Sequence, residues 1–244
     1  MVENGSLMWN YKKKIVITGD TSRFAKTLKK FFNGKNIKYL NKKEFNILNF
    51  RQIDKYLKKR KIKVLIHMAG LSRPLVDHDV EINKSIDLNI IGTCNVVKAC
   101  KNNNIKLIFF STSYVYPGNK NYSSEKDSLL PFNNYGWSKL GAESAVHMYK
   151  NSLILRLSIT EKPFLHKYAF TNVKSNFMFH DDFAKVFHKL INKKGIINVG
   201  NKSTTVFDFA KKNNPNVLKK RLNSKFTKQD MDVNKFFKII KQTS

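Results

Sequence analysis

The chain has 244 residues, 41% of them hydrophobic, so it can bury the core of one α/β domain, and general disorder is excluded. Its formal net charge is +29, yet the lysines run along the whole length instead of gathering in one arm or helix; this argues against a dedicated nucleic-acid surface and leaves a positive field that attracts phosphorylated ligands. No segment approaches the length of a membrane span, MVENGSLMWNYKKK lacks a continuous apolar run, and Cys94 and Cys100 read as small core residues in a reducing compartment, so a cytoplasmic protein without membrane contact is expected.

In chain order, KKIVITG (13–19) reads as a strand and SRFAKTLKKFF (22–32) as a helix with apolar residues at helical spacing. The turn between them is where a doubly wound sheet receives a pyrophosphate, because free amides at a helix N-terminus favour anions. A full dinucleotide fingerprint places glycine at 19, 22 and 25; this chain has Gly19, Ser22 and Ala25. Ser22 suits a helix cap, Ala25 is small enough for close packing, and Arg23 can reach a phosphate. NIKYL (36–40) follows as the second strand, and the residues at its end would meet the adenosine ribose. They read Tyr39-Leu40-Asn41-Lys42-Lys43, with no carboxylate until Glu44, which favours a 2′-phosphate.

NFRQIDKYLKKRK (49–61) is the next expected helix and KVLIHMAG (63–70) the third strand. EINKSIDLNIIGTCNVVKACKNNN (81–104) reads as one long helix, IKLIFFSTS (105–113) as a strand, and 117–131 as a loop rich in Ser, Asn, Pro and Gly. NNYGWSKLGAE (133–143) opens another helix, and SLILRLS (152–158) is a strand. Beyond it, 180–194 looks helical with HDD (180–182) as its cap, GIINVG (195–200) looks like a further buried strand, and 205–212 begins a helix. Strands apolar on both faces, alternating with helices, imply an α/β fold with a doubly wound, Rossmann-type parallel sheet. The six histidines show no metal-ligand spacing with Cys or acidic partners, so no metal is expected.

Tyr-x-x-x-Lys occurs four times, at Tyr39/Lys43, Tyr116/Lys120, Tyr122/Lys126 and Tyr135/Lys139. Only the last lies on an expected helix, where positions i and i+4 share a face. The strand ahead of it ends at Thr112, at the carboxyl edge of the sheet where ligands of such folds lie.

Taken together, ITGDTSRFA, LIHMAG, DLNIIGT, FFSTSYVYPG, YGWSKLGAE, ILRLS and GIINVG resemble, in order and spacing, the extended short-chain dehydrogenases/reductases of the NAD-dependent epimerase/dehydratase superfamily. YLNKKEFNIL and MDVNKFFKI make the branch of dTDP-4-dehydrorhamnose reductase-like proteins the nearest in likeness. The resemblance implies a dinucleotide-binding domain over 1–160, with strand 195–200 returned to its sheet, and a reduced substrate-binding portion over 161–244. It implies NADP, or NAD, held by Gly19, Asp20, Ser22, Arg23, Phe24, Lys42, Asn46, Ile47, Met68, Ala69, Gly70, Tyr135, Lys139 and Ser158. Tyr135 would be the general acid/base, Thr112 would orient the same sugar oxygen, Lys139 with a nicotinamide cation would lower the phenol's pKa, and Asn89 would support a proton path through Lys139. The substrate would be a nucleotide sugar, and a homodimer is allowed. Dehydratases of this kind carry Asp-Glu after the threonine, and fucose-synthase-like enzymes a cysteine at the second position; Ser113 and Tyr114 stand here. That leaves 4-keto reduction, with a 4-epimerase or a non-catalytic regulatory Rossmann protein as the alternatives.

Overall fold

Every side chain of Ile15–Thr18 (β1), Val64–His67 (β3) and Ser152–Leu157 (β5) is buried, and Lys106–Thr112 (β4) is buried apart from its first residue. Strands of that kind need a helical layer on each face. The computed structural model, which describes residues 11–242 together with the short paired strands Val2–Glu3 and Ser6–Leu7, supplies both. With Ile37–Leu40 (β2) and Gly195–Val199 (β6), the four form one six-stranded parallel sheet in the order β6-β5-β4-β3-β1-β2. The α/β doubly wound class expected from the sequence is the fold observed, with β6 at one edge of the sheet beside β5.

Strand alternation divides the core between the two layers. Ile15, Ile17, Ile66 and Leu155 point to one face, under α1 (Arg23–Phe31) and α5 (His180–Val186), where Leu28, Phe32, Phe183 and Phe187 are fully enclosed. Val16, Leu65, Leu107 and Ile154 point to the other, under α2 (Phe50–Arg60), α3 (Gly92–Asn102) and α4 (Asn134–His147). A smaller core of Phe164, Ala169, Val173, Phe209 and Val217 gathers beside the sheet around α6 (Val206–Lys211). The closing helix α7 (Asn234–Lys241) inserts Phe236 into the first core.

Three elements differ from the sequence reading. The expected long helix over 81–104 winds as a π-helix over Ile86–Ile91 between Ile82–Ser85 and α3, so the extra residue turns Asn89 into the protein. His180 opens α5 itself, with Phe179 at the cap position and no side-chain cap; Asp181 and Asp182 instead sit in the first turn, where they complement the helix dipole. The short pairings Tyr168–Phe170 with Leu218–Lys220 and Lys174–Ser175 with Thr204–Thr205 were not anticipated. At two or three residues each, they carry no readable alternation. Among the described residues no helix is long and apolar enough to cross a membrane.

Candidate active site

β1 lies between β2 and β3, so the strand order reverses at β1, with β2 on one side and β3 and all later strands on the other, and a doubly wound sheet has its ligand crevice at the carboxyl ends of the strands at such a point, here β1 and β3. Three side chains lock the two strand ends together there. Thr18 Oγ1 accepts hydrogen bonds from the amides of Met68 at 3.2 Å and Ala69 at 3.1 Å, and lies 2.9 Å from His67 Nδ1. With both lone pairs of the hydroxyl engaged, its proton goes to Nδ1, which places the imidazole proton on Nε2, facing Thr93 Oγ1 at 3.1 Å. Burial, reinforced by the Lys139 charge, pushes His67 down to about 3, so the ring is neutral at physiological pH. Sequence reading weighed His67 only as a metal ligand and missed this role. Its signal is a histidine that ends an otherwise apolar strand, level with Thr18 on the neighbouring strand. The approach is so close that a Cβ on Gly19, whose φ is +80°, would lie 2.9 Å from the Ala69 amide nitrogen.

The residues expected around a pyrophosphate gather at this crevice, each in a defined way. Ser22 caps α1 by accepting from the Ala25 amide at 3.1 Å, and Ala25 is enclosed as its small size suggested. The amides of Arg23 and Phe24, in the first turn, have no intrahelical partner. The Phe24 ring is core, stacked on Phe183 at 5.5 Å, so only its backbone is available to a ligand. The Asp20 carbonyl accepts from Lys29 Nζ at 3.3 Å. Arg23 forms an ion pair with Glu161 at 2.5 Å, crossing from α1 to the segment after β5.

After β2, Lys42 and Lys43 are exposed. The first acid, Glu44, is bound to Lys38 at 2.5 Å, and its amide donates to Asn41 Oδ1 at 3.0 Å. Asn46 folds into a local turn, accepting from the Leu48 amide at 3.1 Å. Ile47 is a core residue packed against Gly92, and its carbonyl accepts from Asn95 Nδ2 at 3.0 Å. Gly70 closes the loop after β3 against Asn89, and Ser158 is buried with its hydroxyl 3.1 Å from that of Ser175. The side chains of Phe24, Ile47 and Ser158 are therefore committed to the fold.

Thr112 ends β4 and accepts from the Tyr114 amide at 3.3 Å. Asn133 caps α4 through Gly136 at 2.7 Å, and Gly136 is pressed so tightly against the Tyr114 carbonyl that a Cβ would collide with it. This contact sets the first turn of α4 on the loop after β4 and brings the Tyr135 phenol to Thr112. The Tyr135 ring lies between His78, at 5.0 Å between centroids, and Tyr114, at 6.1 Å. One turn on, Lys139 is buried, its ammonium 4.2 Å from the centre of the Phe109 ring. The other tyrosines of the repeated spacing have different duties: Tyr39 donates to the Phe32 carbonyl at 2.8 Å, Tyr116 is buried in a polar network, and Tyr122 is exposed.

Burial dominates both groups and moves them in opposite directions, pushing Tyr135 up to about 12 and Lys139 down to about 7. The influences that favour ionised Tyr135 come from Thr112 and Arg73; Lys139 is not among them. Asn89, turned inward by the π-helix, accepts from the Leu71 amide at 2.7 Å and donates to the Leu71 carbonyl at 2.9 Å and to Ser138 Oγ at 2.8 Å. Ser138 in turn donates to the Tyr135 carbonyl at 2.8 Å. The Asn89 side chain thus pins the loop after β3 to the first turn of α4.

Beneath these groups lies a buried scaffold that the sequence reading did not find. Glu143 accepts from Ser111 Oγ at 2.7 Å and from Arg156 Nε at 3.0 Å, and also meets Arg156 Nη2. Arg156 Nη1 donates to the Tyr116 hydroxyl at 2.7 Å, which lies 2.8 Å from Asn198 Oδ1. Ser111 precedes Thr112 and Glu143 lies one turn beyond Lys139, so the pair fixes β4 to α4 directly under the site.

Residues 13–176 match the RmlD substrate binding domain family. The chain belongs to that family. Its fold is shared with two solved structures: a dTDP-4-dehydrorhamnose reductase from Bacillus anthracis in complex with NADP (TM-score 0.78, 22% identity, 94% of this chain and 92% of that one) and a hypothetical dTDP-4-dehydrorhamnose reductase from Sulfolobus tokodaii (TM-score 0.83, 20% identity, 94% and 95%). In sequence it is 35% identical over 129 residues to a dTDP-D-glucose 4,6-dehydratase from Dictyostelium discoideum, a match covering 47% of this chain. The chain spans only 29% of that relative's length.

Proposed function

We propose that this family member is an NAD(P)-dependent oxidoreductase that reduces a nucleotide-linked 4-keto sugar. The observation carrying the reading is that Tyr135, Thr112 and Lys139 come from two elements to one place at the carboxyl edge of the sheet, next to the crevice between β1 and β3.

The crevice fits a dinucleotide: Gly19 leaves no room for a side chain, and the first amides of α1 are unspent. Gly19, Asp20, Ser22, Arg23 and the Phe24 amide would hold the pyrophosphate. Lys42, Asn46 and the Ile47 backbone would hold the adenosine end, and Met68, Ala69, Gly70 and the Ser158 backbone would line the remainder. A nicotinamide bound there supplies the hydride. Tyr135 is a neutral phenol throughout the physiological range and so carries a proton for the sugar oxygen at its hydroxyl. Thr112 orients that oxygen. Lys139, pushed down to about 7, exchanges its proton at working pH and would grip the cofactor's ribose. Asn89 holds the catalytic turn in register through Ser138.

Exposed Lys42 and Lys43, with Glu44 tied back to Lys38, support NADP over NAD. Ser113 and Tyr114, where an eliminating enzyme needs acids, support reduction over dehydration. The smaller core around α6 is the part assigned to substrate binding. A cytoplasmic setting is part of the reading, as is a homodimer, which would cover the exposed Ile82, Ile86 and Trp137. The test is NADPH oxidation by the purified chain with a dTDP-4-keto-6-deoxy sugar and its UDP counterpart. NADPH binding without turnover on any 4-keto nucleotide sugar would replace the reading with a non-catalytic Rossmann protein.

A further inference from the structure

Five ion pairs join side chains among the described residues. Three of them, Lys38 with Glu44, Lys84 with Glu81 and Lys120 with Asp127, link partners no more than seven positions apart, and Arg156 with Glu143 is the buried scaffold. Arg23 with Glu161 is of another kind: the side chains are 60% and 18% exposed, and the partners stand 138 positions apart. A pair so exposed contributes little to stability. What it reports is where the fold has set a carboxylate, and that place is the mouth of the phosphate turn.

Contacts on both sides fix the placement. Arg23 is the first residue of α1, next to Ser22 at the cap, in the turn whose amides are open to a ligand. Glu161 follows directly on Ile159–Thr160, which pairs in parallel with Met178–Phe179, the residues ahead of α5. The two helices are clamped through Phe24, whose ring stacks on Phe183 at 5.5 Å and meets the His180 ring edge-on at 5.2 Å. Across these packed elements Arg23 Nη1 donates to Glu161 Oε1 at 2.5 Å, from a side chain that leaves the first turn of a helix favouring anions. Burial raises the Glu161 carboxyl, but the hydrogen bond and charge of Arg23 outweigh it and hold the group below the usual carboxylate range, so Arg23 faces a full negative charge at working pH.

One guanidinium therefore stands between two anions, the Glu161 carboxylate and the pyrophosphate assigned to α1. Glu161 holds it through Nη1 alone, whereas a phosphate offers two oxygens to the fork. We propose that Glu161 is a competing anion built into the cofactor site, exchanged on Arg23 for the pyrophosphate when a dinucleotide binds. The carboxylate lowers cofactor affinity and speeds release, because it recaptures Arg23 as the phosphate leaves. The inference rests on the proposed function only in seating a dinucleotide at α1.

The test is equilibrium binding and stopped-flow release of NADPH and NADH by wild type, Glu161→Gln, Arg23→Gln and the double variant. Adenosine 2′-monophosphate serves as a probe without a pyrophosphate. Glu161→Gln should bind both dinucleotides about three- to fivefold more tightly, the upper part of what an exposed pair supplies, and release them more slowly by a similar factor. Arg23→Gln should weaken both at least about tenfold. The double variant should match Arg23→Gln within about 1.5-fold, since without the guanidinium there is nothing to exchange. Adenosine 2′-monophosphate should bind all four proteins alike, and their denaturation midpoints should agree within about 4 °C. An NADPH affinity in Glu161→Gln equal to or below that of wild type overturns the exchange. So does a gain of the same size in the Arg23→Gln background, which is plain repulsion of the cofactor by the carboxylate, or a gain shared by adenosine 2′-monophosphate. NADPH binding that ignores Glu161 removes the exchange alone and leaves the cofactor site in place, whereas a wild type that binds neither dinucleotide removes both.

Discussion

Replacing Glu143 with alanine removes the carboxylate that serves both Arg156 and Ser111. The side chains of Glu143 and Arg156 are 4% and 3% exposed, so the guanidinium left behind cannot recruit bulk water. It keeps the Tyr116 hydroxyl at 2.7 Å and the Glu125 carbonyl at 3.5 Å, neither of which carries charge. Breaking a buried pair from one side costs about 3–5 kcal/mol, and the abandoned Ser111 hydroxyl falls within that range once neighbours relax. In a chain of this size that is a fall of about 6–20 °C in Tm. Removing both charges is a different perturbation: Glu143→Leu with Arg156→Met leaves no stranded ion, and the double variant should lie within about 2 kcal/mol of wild type. Chemical denaturation of Glu143→Leu, Arg156→Met and the double closes the cycle, with Glu143→Ala measured alongside. A Glu143→Ala protein within about 1 kcal/mol of wild type, or a double variant as unstable as the summed singles, would refute the claim that this pair is a dry scaffold under the site.

The remaining expectations concern pH and cofactor. His67 is held down to about 3 against a usual 6.5, so between those values the unfolded chain binds the extra proton and stability falls as pH drops, by at most about 1.4 kcal/mol per pH unit. His67→Gln should flatten that part of the stability curve, and an unchanged slope would show that other groups set it. NADPH should bind at least about tenfold more tightly than NADH, a difference of about 1.4 kcal/mol that shrinks at high salt and in the Lys42→Ala, Lys43→Ala double variant. Equal dissociation constants at low ionic strength would remove the role given to these lysines. No 4,6-dehydration of a nucleotide hexose is expected, and accumulation of a 4-keto-6-deoxy product would contradict the reading of Ser113 and Tyr114.

The parallel sheet was legible because VLIH, KLIFFST and SLILRL carry runs of consecutive apolar residues, so that both faces of each strand are apolar, as in a sheet covered on both sides. Tyr135 could be chosen from four equal spacings because helix geometry admits one of them. The residues that escaped act through distance in the chain. Glu143 meets Arg156 only because α4 packs on β5, and His67 meets Thr18 and Thr93 across three elements. The π-helix at Asn89 was invisible for another reason, since one inserted residue leaves the apolar spacing of a long helix nearly intact. How dry the surroundings of Tyr135 and Lys139 are was likewise unreadable, because sequence shows that two groups are neighbours but not how deeply they are buried.

The central claim is that the Tyr135 hydroxyl supplies the proton for carbonyl reduction. Tyr135→Phe keeps the ring against His78 and Tyr114 and deletes only the oxygen that faces Thr112. The decisive measurement is the single-turnover rate of NADPH oxidation by a dTDP-4-keto-6-deoxy sugar, wild type against Tyr135→Phe, with NADPH affinity determined on the same samples. The rate should fall by about two to four orders of magnitude while NADPH affinity stays within about threefold. A variant that oxidises NADPH at a near wild-type rate would contradict it.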